Sequence, residues 1–381
     1  MKRILFIPSE MYSAVYYYRC YWPMKLLSQY YSSEFDITIN NNYKYTPQEI
    51  KEIGENFDIV WIKNGLYPGE IQDKFWNMII YCKKQYSTKF IIDLDDYWIY
   101  HPQHPAREAC LFNAFPDKMK INFKMVDYIS TTTEYFKSII SEDFPEDRIF
   151  VFPNALSKED TQFTPDKTKS TKIRLGLTGG SSHTEDIKQL LEFPKYLTDK
   201  QIENIELVFC GYDVKNAEKV VLDENGKVLE RNELPLSENW WVKTENKFKQ
   251  ELKYYKRIET RSIVLGDYGE IYKDIDVLLV PLCNNKFNRC KSELKFIEAG
   301  FTNTAIICSD VIPYNNFSKS NFGWNFVKNP SPQEWAKSIK KIIREPELIE
   351  EIKTKNREQI LKSRTLEEIN KLRYEFLKQI I

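Results

Sequence analysis

Short apolar runs alternate with stretches of helical spacing along most of this chain, and that alternation admits few folds. Residues 4–7 read as a buried first strand, followed by a turn and a helical stretch at 19–30. Further strands are expected at 35–39, 57–62, 89–94, 126–131 and 149–152, with helical spacing at 71–86 and 134–141. Strand–helix–strand repeats of this kind imply parallel βαβ units. Pro153-Asn154-Ala155 breaks the series, and the polar stretch 157–171 reads as a linker. A second series opens with a strand at 173–177, a glycine-rich turn, a helix and a strand at 205–210. Residues 213–261 are charged, with weak periodicity, and read as an inserted loop or helical excursion. Strands follow at 262–265, 277–281 and 305–309, and from Ser331 onward the chain is helical and charged. The expected class is α/β, with two Rossmann-like domains facing a cleft, at 1–153 and 154–363.

Composition narrows the function. A chain of 381 residues is long for one α/β core and suits two. Lys+Arg and Asp+Glu are equal at 55 each, so there is no electrostatic footprint for nucleic acid. The seven cysteines are odd in number and form no CxxC pair, which argues against a disulfide framework or a zinc site and for a reducing cytoplasm. The apolar run at the N-terminus is too short for a signal peptide, and no stretch approaches the roughly 20 apolar residues of a spanning helix. Peripheral contact with the inner face of a membrane stays compatible with this composition.

Five segments carry residues suited to chemistry. The first runs from Phe287 to Gly300 after an apolar strand, where α/β folds place ligands. A helix starting near Ser292 would offer free backbone N–H groups to phosphate, with Lys291 beside them. Lys291, Lys295 and Glu298, spaced i, i+4, i+7, would share a face, leaving the Glu298 carboxylate for ribose hydroxyls. A solvated Lys–Glu face is the bland alternative. The second segment is Gly176-Leu177-Thr178-Gly179-Gly180-Ser181-Ser182-His183-Thr184-Glu185-Asp186. Gly179, Gly180 and Ser181 let amides and a hydroxyl approach an anion; His183 either contacts phosphate or caps the helix. A plain tight turn is equally consistent with it.

The third segment, Asp93-Leu94-Asp95-Asp96, puts acids at a strand end, which is costly unless they are paired, solvated or used. A divalent metal, a carboxylate lining a transfer site, and helix N-capping are the three readings. By strand alternation Asp93 and Asp95 share a side and Asp96 departs from it. In the fourth, Tyr16-Tyr17-Tyr18-Arg19, Arg19 suits an anionic group, and tyrosine packing is the alternative. In the fifth, Gly266 and Tyr268 are placed to make a nucleobase shelf.

These segments resemble retaining family 4 glycosyltransferases of the GT-B fold, and a bacterial subgroup of them. The likeness rests on Pro153-Asn154-Ala155, the glycine-rich turn, residues 272–281, Lys291-Ser292-Glu293-Leu294-Lys295-Phe296-Ile297-Glu298 and residues 306–310. Tyr18-Arg19…Pro23 and the segment from Asp93 to Trp98 add to it. The resemblance implies transfer of a sugar from a nucleotide-diphosphate sugar, in polysaccharide or glycoconjugate synthesis. Glu298 matches the second Glu of the family's Glu-x7-Glu motif, on the donor ribose. Lys291 and Ser292 fall where its backbone meets the diphosphate, and Gly266–Tyr268 fall near its nucleobase pocket. Asp95 and Asp96 fall in its sugar site. A C-terminal helix at about 364–381 would return to the first domain.

Three departures accompany the likeness. Cys290 stands where the first Glu belongs, no Arg/Lys pair follows Gly180, and Ser9-Glu10-Met11-Tyr12 replaces the first glycine loop. The expectation is a glycosyltransferase with Asp95, Asp96 and Lys291 in catalysis and Tyr18 and Arg19 on the acceptor side. Gly179, Gly180, Ser181, His183, Gly266, Tyr268, Lys291, Ser292, Lys295 and Glu298 are assigned to the donor. The acceptor is a glycan, a lipid-linked sugar or another group, and no cofactor or essential metal is expected. Two rivals stand beside this reading: a degenerate GT-B protein that binds without turnover, and a metal-dependent transferase centred on Asp93, Asp95 and Asp96.

Overall fold

The computed structural model describes residues 1–212, 218–222, 228–259, 261, 263, 265–315 and 325–381. The chain divides into two compact units. The first is Met1–Asp160 with Asn285–Leu294 and Lys362–Ile381; the second is Thr161–Asn284 with Lys295–Leu361. The first unit thus runs past the break expected at 153. It also takes in Asn285–Leu294, a segment the sequence reading placed in the second domain.

The first unit is built on a six-stranded sheet of β1 (Lys2–Ile7), β2 (Phe35–Ile39), β3 (Ile59–Lys63), β4 (Lys89–Asp93), β5 (Tyr128–Thr131) and β6 (Ile149–Val151). Their order is β2-β1-β3-β4-β5-β6, and every pair is parallel. Alternation along each strand feeds two cores. Leu5, Ile7, Val60, Ile62, Phe90 and Ile92 meet the helices Pro47–Asn56, Glu70–Tyr86 and Phe115–Met125 on one face. Ile4, Phe6, Ile59, Trp61 and Ile91 meet Trp22–Tyr30 and the C-terminal helix Leu366–Ile380 on the other. Phe287 and Cys290 are buried in the first of these cores, which is why their segment belongs to this unit.

The second unit has its own all-parallel sheet of β7 (Ile173–Thr178), β8 (Ile205–Tyr212), β11 (Tyr255–Glu259), β12 (Val277–Val280), β13 (Ala305–Ser309) and β14 (Phe326–Val327), in the order β11-β8-β7-β12-β13-β14. Between β8 and β11 lie two antiparallel strands, β9 (Glu218–Leu222) and β10 (Val228–Glu233), and the helix Trp240–Lys249. The stretch read as an insertion therefore contains a strand of the main sheet. That strand escaped the sequence reading because β11 sits at the sheet edge and buries only Ile258. The strand expected at 262–265 falls partly on residues 262 and 264, outside the described residues, and Ile263 and Leu265 lie in a turn.

The polar linker is also more structured than expected. Gln162 and Phe163 are buried, and the Lys167 ammonium donates to the carbonyls of Tyr272 and Ile275 and to Thr304 Oγ1 at 2.6–2.9 Å. Burial pulls the Lys167 pKa down to about 7.

Candidate functional site

In an open parallel sheet the ligand crevice lies beyond the C-terminal strand ends, where the strand order reverses. In the second unit that point falls between β7 and β12. Thr178-Gly179-Gly180 leaves β7 there, and Gly179 has φ +149°, a conformation only glycine holds without strain. An ideal Cβ on Gly179 would sit 3.0 Å from His183 Cδ2 and 3.8 Å from its Nε2, so this edge of the imidazole lies over the turn. A Cβ on Gly180 would meet nothing within 4 Å, so the turn is open on that side. The Ser181 side chain lies outside the described residues.

A network of buried groups fixes the crevice wall. Asp186 is 4% exposed and joins the two strand ends. Its Oδ2 lies 2.8 Å from His183 Nδ1, and its Oδ1 accepts from the Cys283 backbone N–H at 2.7 Å. Burial pushes the Asp186 carboxyl upward, but His183 and Cys283 more than offset this and hold it below the usual carboxylate range. Behind it, Gln189 donates to Cys283 Sγ at 3.2 Å and accepts from Ser309 Oγ, while Ser309 Oγ accepts from the Leu282 N–H.

A second cluster adjoins the same strand end. Glu298, on the helix Leu294–Phe301, is 1% exposed. Its Oε2 accepts from Lys295 Nζ at 2.8 Å, from the Tyr272 hydroxyl, and from the Tyr268 hydroxyl at 3.5 Å. Lys295 also reaches the Tyr268 hydroxyl at 3.0 Å. Tyr272 faces Thr178 at the end of β7. Burial opposes the Lys295 charge, yet Glu298 and Tyr268 outweigh it and raise its pKa; burial and Glu298 push Tyr268 up to about 12. Tyr314 is in electrostatic reach of Asp186, Lys295 and Glu298 together. Gly266, with φ +81°, is exposed in the turn before Tyr268.

The remaining sequence candidates belong to the first unit. The helix expected from Ser292 starts at Leu294, so Lys291 is not on it and shares no face with Lys295 and Glu298. Lys291 instead pairs with Asp96 at 3.3 Å, and Ser292 Oγ accepts from Asn154 at 2.8 Å. Cys290, at the place of the missing Glu, is buried in the apolar core, and burial pushes its thiol up to about 12.

Arg19 and Tyr18 are buried rather than offered to an acceptor. Arg19 gives Nε and Nη2 to Asp93 at 3.0 and 2.5 Å, and Nη1 to the Phe152 carbonyl and Asn154 Oδ1. The three acids therefore do not converge: Asp93 pairs with Arg19, Asp95 with Lys63 at 2.6 Å, and Asp96 with Lys291. The strand ends at Asp93, so the expected alternation does not extend to Asp95 and Asp96. Sequence reasoning gave no site role to Lys63, Asp186 or Tyr272, although Asp186 closes the second segment, Tyr272 opens the 272–281 run, and Lys63 is the charged end of an apolar strand.

No protein-family model matches the chain, and no curated protein matches it. Solved structures do. HepE from Anabaena, in complex with UDP, aligns over 100% of both chains at 11% identity and a TM-score of 0.64. Sucrose-phosphate synthase from Thermosynechococcus elongatus aligns over 100% of this chain and 99% of its own at 11% identity and TM-score 0.66. The fold is GT-B. Its two parallel sheets are the two Rossmann-like domains of that architecture. A UDP-GlcNAc 2-epimerase from Neisseria meningitidis bound to UDP-GlcNAc is also similar, at 12% identity, TM-score 0.53 and coverage of 99% and 100%. The GT-B fold thus hosts more than one chemistry, and activity must be argued from the site.

Proposed function

We propose that this protein is a glycosyltransferase that takes a sugar from a nucleotide-diphosphate sugar. The observation that carries the reading is the convergence of the open Gly179–Gly180 turn, His183 and the Lys295–Glu298–Tyr268 cluster around the end of β7. A diphosphate there would meet backbone amides, the His183 imidazole and the Lys295 ammonium, with the Glu298 carboxylate beside the ribose and Tyr268 beside the base. Stabilising the leaving diphosphate is the main demand of sugar transfer, and these groups suit it without a divalent ion. Separate cations already occupy Asp93, Asp95 and Asp96, which weighs against the metal-dependent rival. HepE with UDP and the epimerase with UDP-GlcNAc support a uridine nucleotide.

Acceptor recognition we assign to the C-terminal edge of the first sheet, where Asp96 and Lys291 are partly exposed beside the largely buried Lys63–Asp95 pair. The acceptor class in this reading is a glycan or lipid-linked sugar, at the cytoplasmic face of a membrane. Among the described residues no helix is long and apolar enough to cross one. Retention of configuration rests on the family resemblance. A second reading, donor binding without turnover, is favoured by one observation: Cys290 is in the core where the motif's first Glu would stand.

The test is a thermal-shift panel of UDP, GDP, CMP and ADP sugars, with and without EDTA, followed by an acceptor screen. A ligand at 100 times its Kd adds about 2.7 kcal/mol to the native state. A shift for one nucleotide class that EDTA leaves intact, and that Glu298→Gln weakens, is expected. No shift with any sugar refutes the donor site; a shift with no nucleotide release in the acceptor screen selects the second reading.

A further inference from the structure

We infer that the second unit binds its nucleotide diphosphate by taking up one proton at His183, with Asp186 as the positioning residue that makes the proton necessary. This rests on the donor-site reading above and extends it to a specific coupling. Asp186 is buried, and its Oδ1 is held by a backbone N–H, which can only donate. Its carboxylate is ionised, so it accepts on both oxygens, and the proton of the His183–Asp186 contact belongs to Nδ1. In the neutral ring Nε2 is then the unprotonated nitrogen.

The Cδ2–Nε2 edge is the one that lies over the Gly179 turn. A diphosphate diester oxygen is an acceptor only. Neutral Nε2 and a phosphate oxygen therefore repel, whereas the imidazolium donates a charge-assisted hydrogen bond. One proton moves from solvent to Nε2 as the anion arrives, and nothing else is consumed. Asp186 stabilises the cation so formed.

Among the described residues, the following charged and titratable groups face the ring or its Asp186 partner. On its own helix, Asp186 contacts it and Glu185 is paired with Lys188 at 2.6 Å. From the β12 end Cys283 faces Asp186, and its thiol is pushed up to about 11 by burial and by Asp186. Tyr314 reaches Asp186 from beyond β13, and burial raises its pKa as well. Neither Cys283 nor Tyr314 titrates near neutral pH.

The experiment is calorimetric titration of the full chain with UDP-glucose, GDP-mannose, ADP-glucose and a CMP-linked sugar, whose phosphates do not titrate near neutrality. It is run from about pH 6 to 8.5 in buffers of different ionisation enthalpy. Affinity is expected to rise as pH falls, by up to about tenfold per unit where the free ring is neutral, with close to one proton taken up. Asp186→Asn is the decisive variant. The Cys283 N–H still needs the amide oxygen, so the amide NH2 turns to Nδ1 and leaves the proton on Nε2. Binding should then take up no proton and lose its pH slope. His183→Gln, which donates at every pH, should be equally flat. Binding by wild type with no proton uptake overturns the inference and leaves the donor site standing, as does the same uptake in His183→Gln. No heat with any of the four sugars overturns both.

Discussion

Arg19 and Asp93 show how a residue that invites a functional reading can be consumed by the fold. The carboxylate takes two guanidinium donors from Arg19 and one hydroxyl donor from Ser130, all below the surface. Burial pushes its pKa up, but Arg19, Lys63 and Ser130 outweigh that and hold it below the usual carboxylate range. Arg373, also buried, lies against Phe152 and is pulled down by burial and by the nearby Arg19 charge. Asp93 is thus the counter-charge for two guanidiniums. Asp93→Asn should cost about 3–5 kcal/mol in urea denaturation, as expected when one member of a buried pair is removed. The sign with pH follows from linkage: a depressed folded pKa contributes stability that is complete above the unfolded value, near 4, and is lost as pH falls toward the folded one. Wild type should therefore lose stability steeply on acidification below about pH 4, and the variant should lose less over the same interval. An identical acid limb in both would show that Asp93 is not an ionised partner.

At the scale of elements, the turn after β7 separates two glycines that look alike in sequence. Gly179→Ala puts a methyl group against the His183 ring at a φ unsuited to any side chain, whereas Gly180→Ala meets no atom within 4 Å. The first should cost roughly 1–3 kcal/mol and displace the imidazole. The second should leave stability within about 0.5 kcal/mol of wild type while weakening nucleotide-sugar affinity, since it fills the open side of the turn. Thermal melts with and without the sugar separate the two; equal loss of stability in both variants would refute the assignment. Strands 35–39 and 305–309 were legible because the first alternates Phe35, Ile37 and Ile39 with polar residues and the second is buried throughout. The edge strand β11 was not, because Tyr-Lys-Arg-Ile-Glu carries one buried residue. Nor was the start of the helix bearing Lys295: Ser292 looks like a cap, yet its hydroxyl is held by Asn154 and the helix begins at Leu294. The His183–Asp186 contact spans only three residues in sequence, but the N–H that holds Asp186 Oδ1 comes from Cys283, beyond β12 and 97 residues away.

For the whole molecule, the chain leaves the first unit at Asp160, returns for Asn285–Leu294, and returns again from Lys362. The last return supplies the helix Leu366–Ile380, whose Leu366, Ile369, Phe376, Leu377 and Ile380 cover the face of the first sheet made by Ile4, Phe6, Ile59 and Trp61. Leu156 bridges to Thr365 at its start, Asn370 donates to the Pro23 carbonyl, and Tyr374 stacks on Tyr31 with centroids 4.1 Å apart. Five buried apolar side chains at roughly 1.5–3 kcal/mol each are comparable to the whole stability of an ordinary domain. A chain ending at Leu361 should therefore lose the first unit, whose closing helix is gone, but keep every strand of the second sheet. Limited proteolysis should then degrade the N-terminal half and spare a fragment beginning near Thr161. If the donor site is built as described, a nucleotide sugar should protect that fragment in the truncated chain as it does in the full one, because Gly179, His183, Lys295 and Glu298 all belong to it. Loss of protection together with an intact fragment would mean that groups of the first unit are needed to hold the donor. Simultaneous degradation of both halves would mean that neither unit folds without the other.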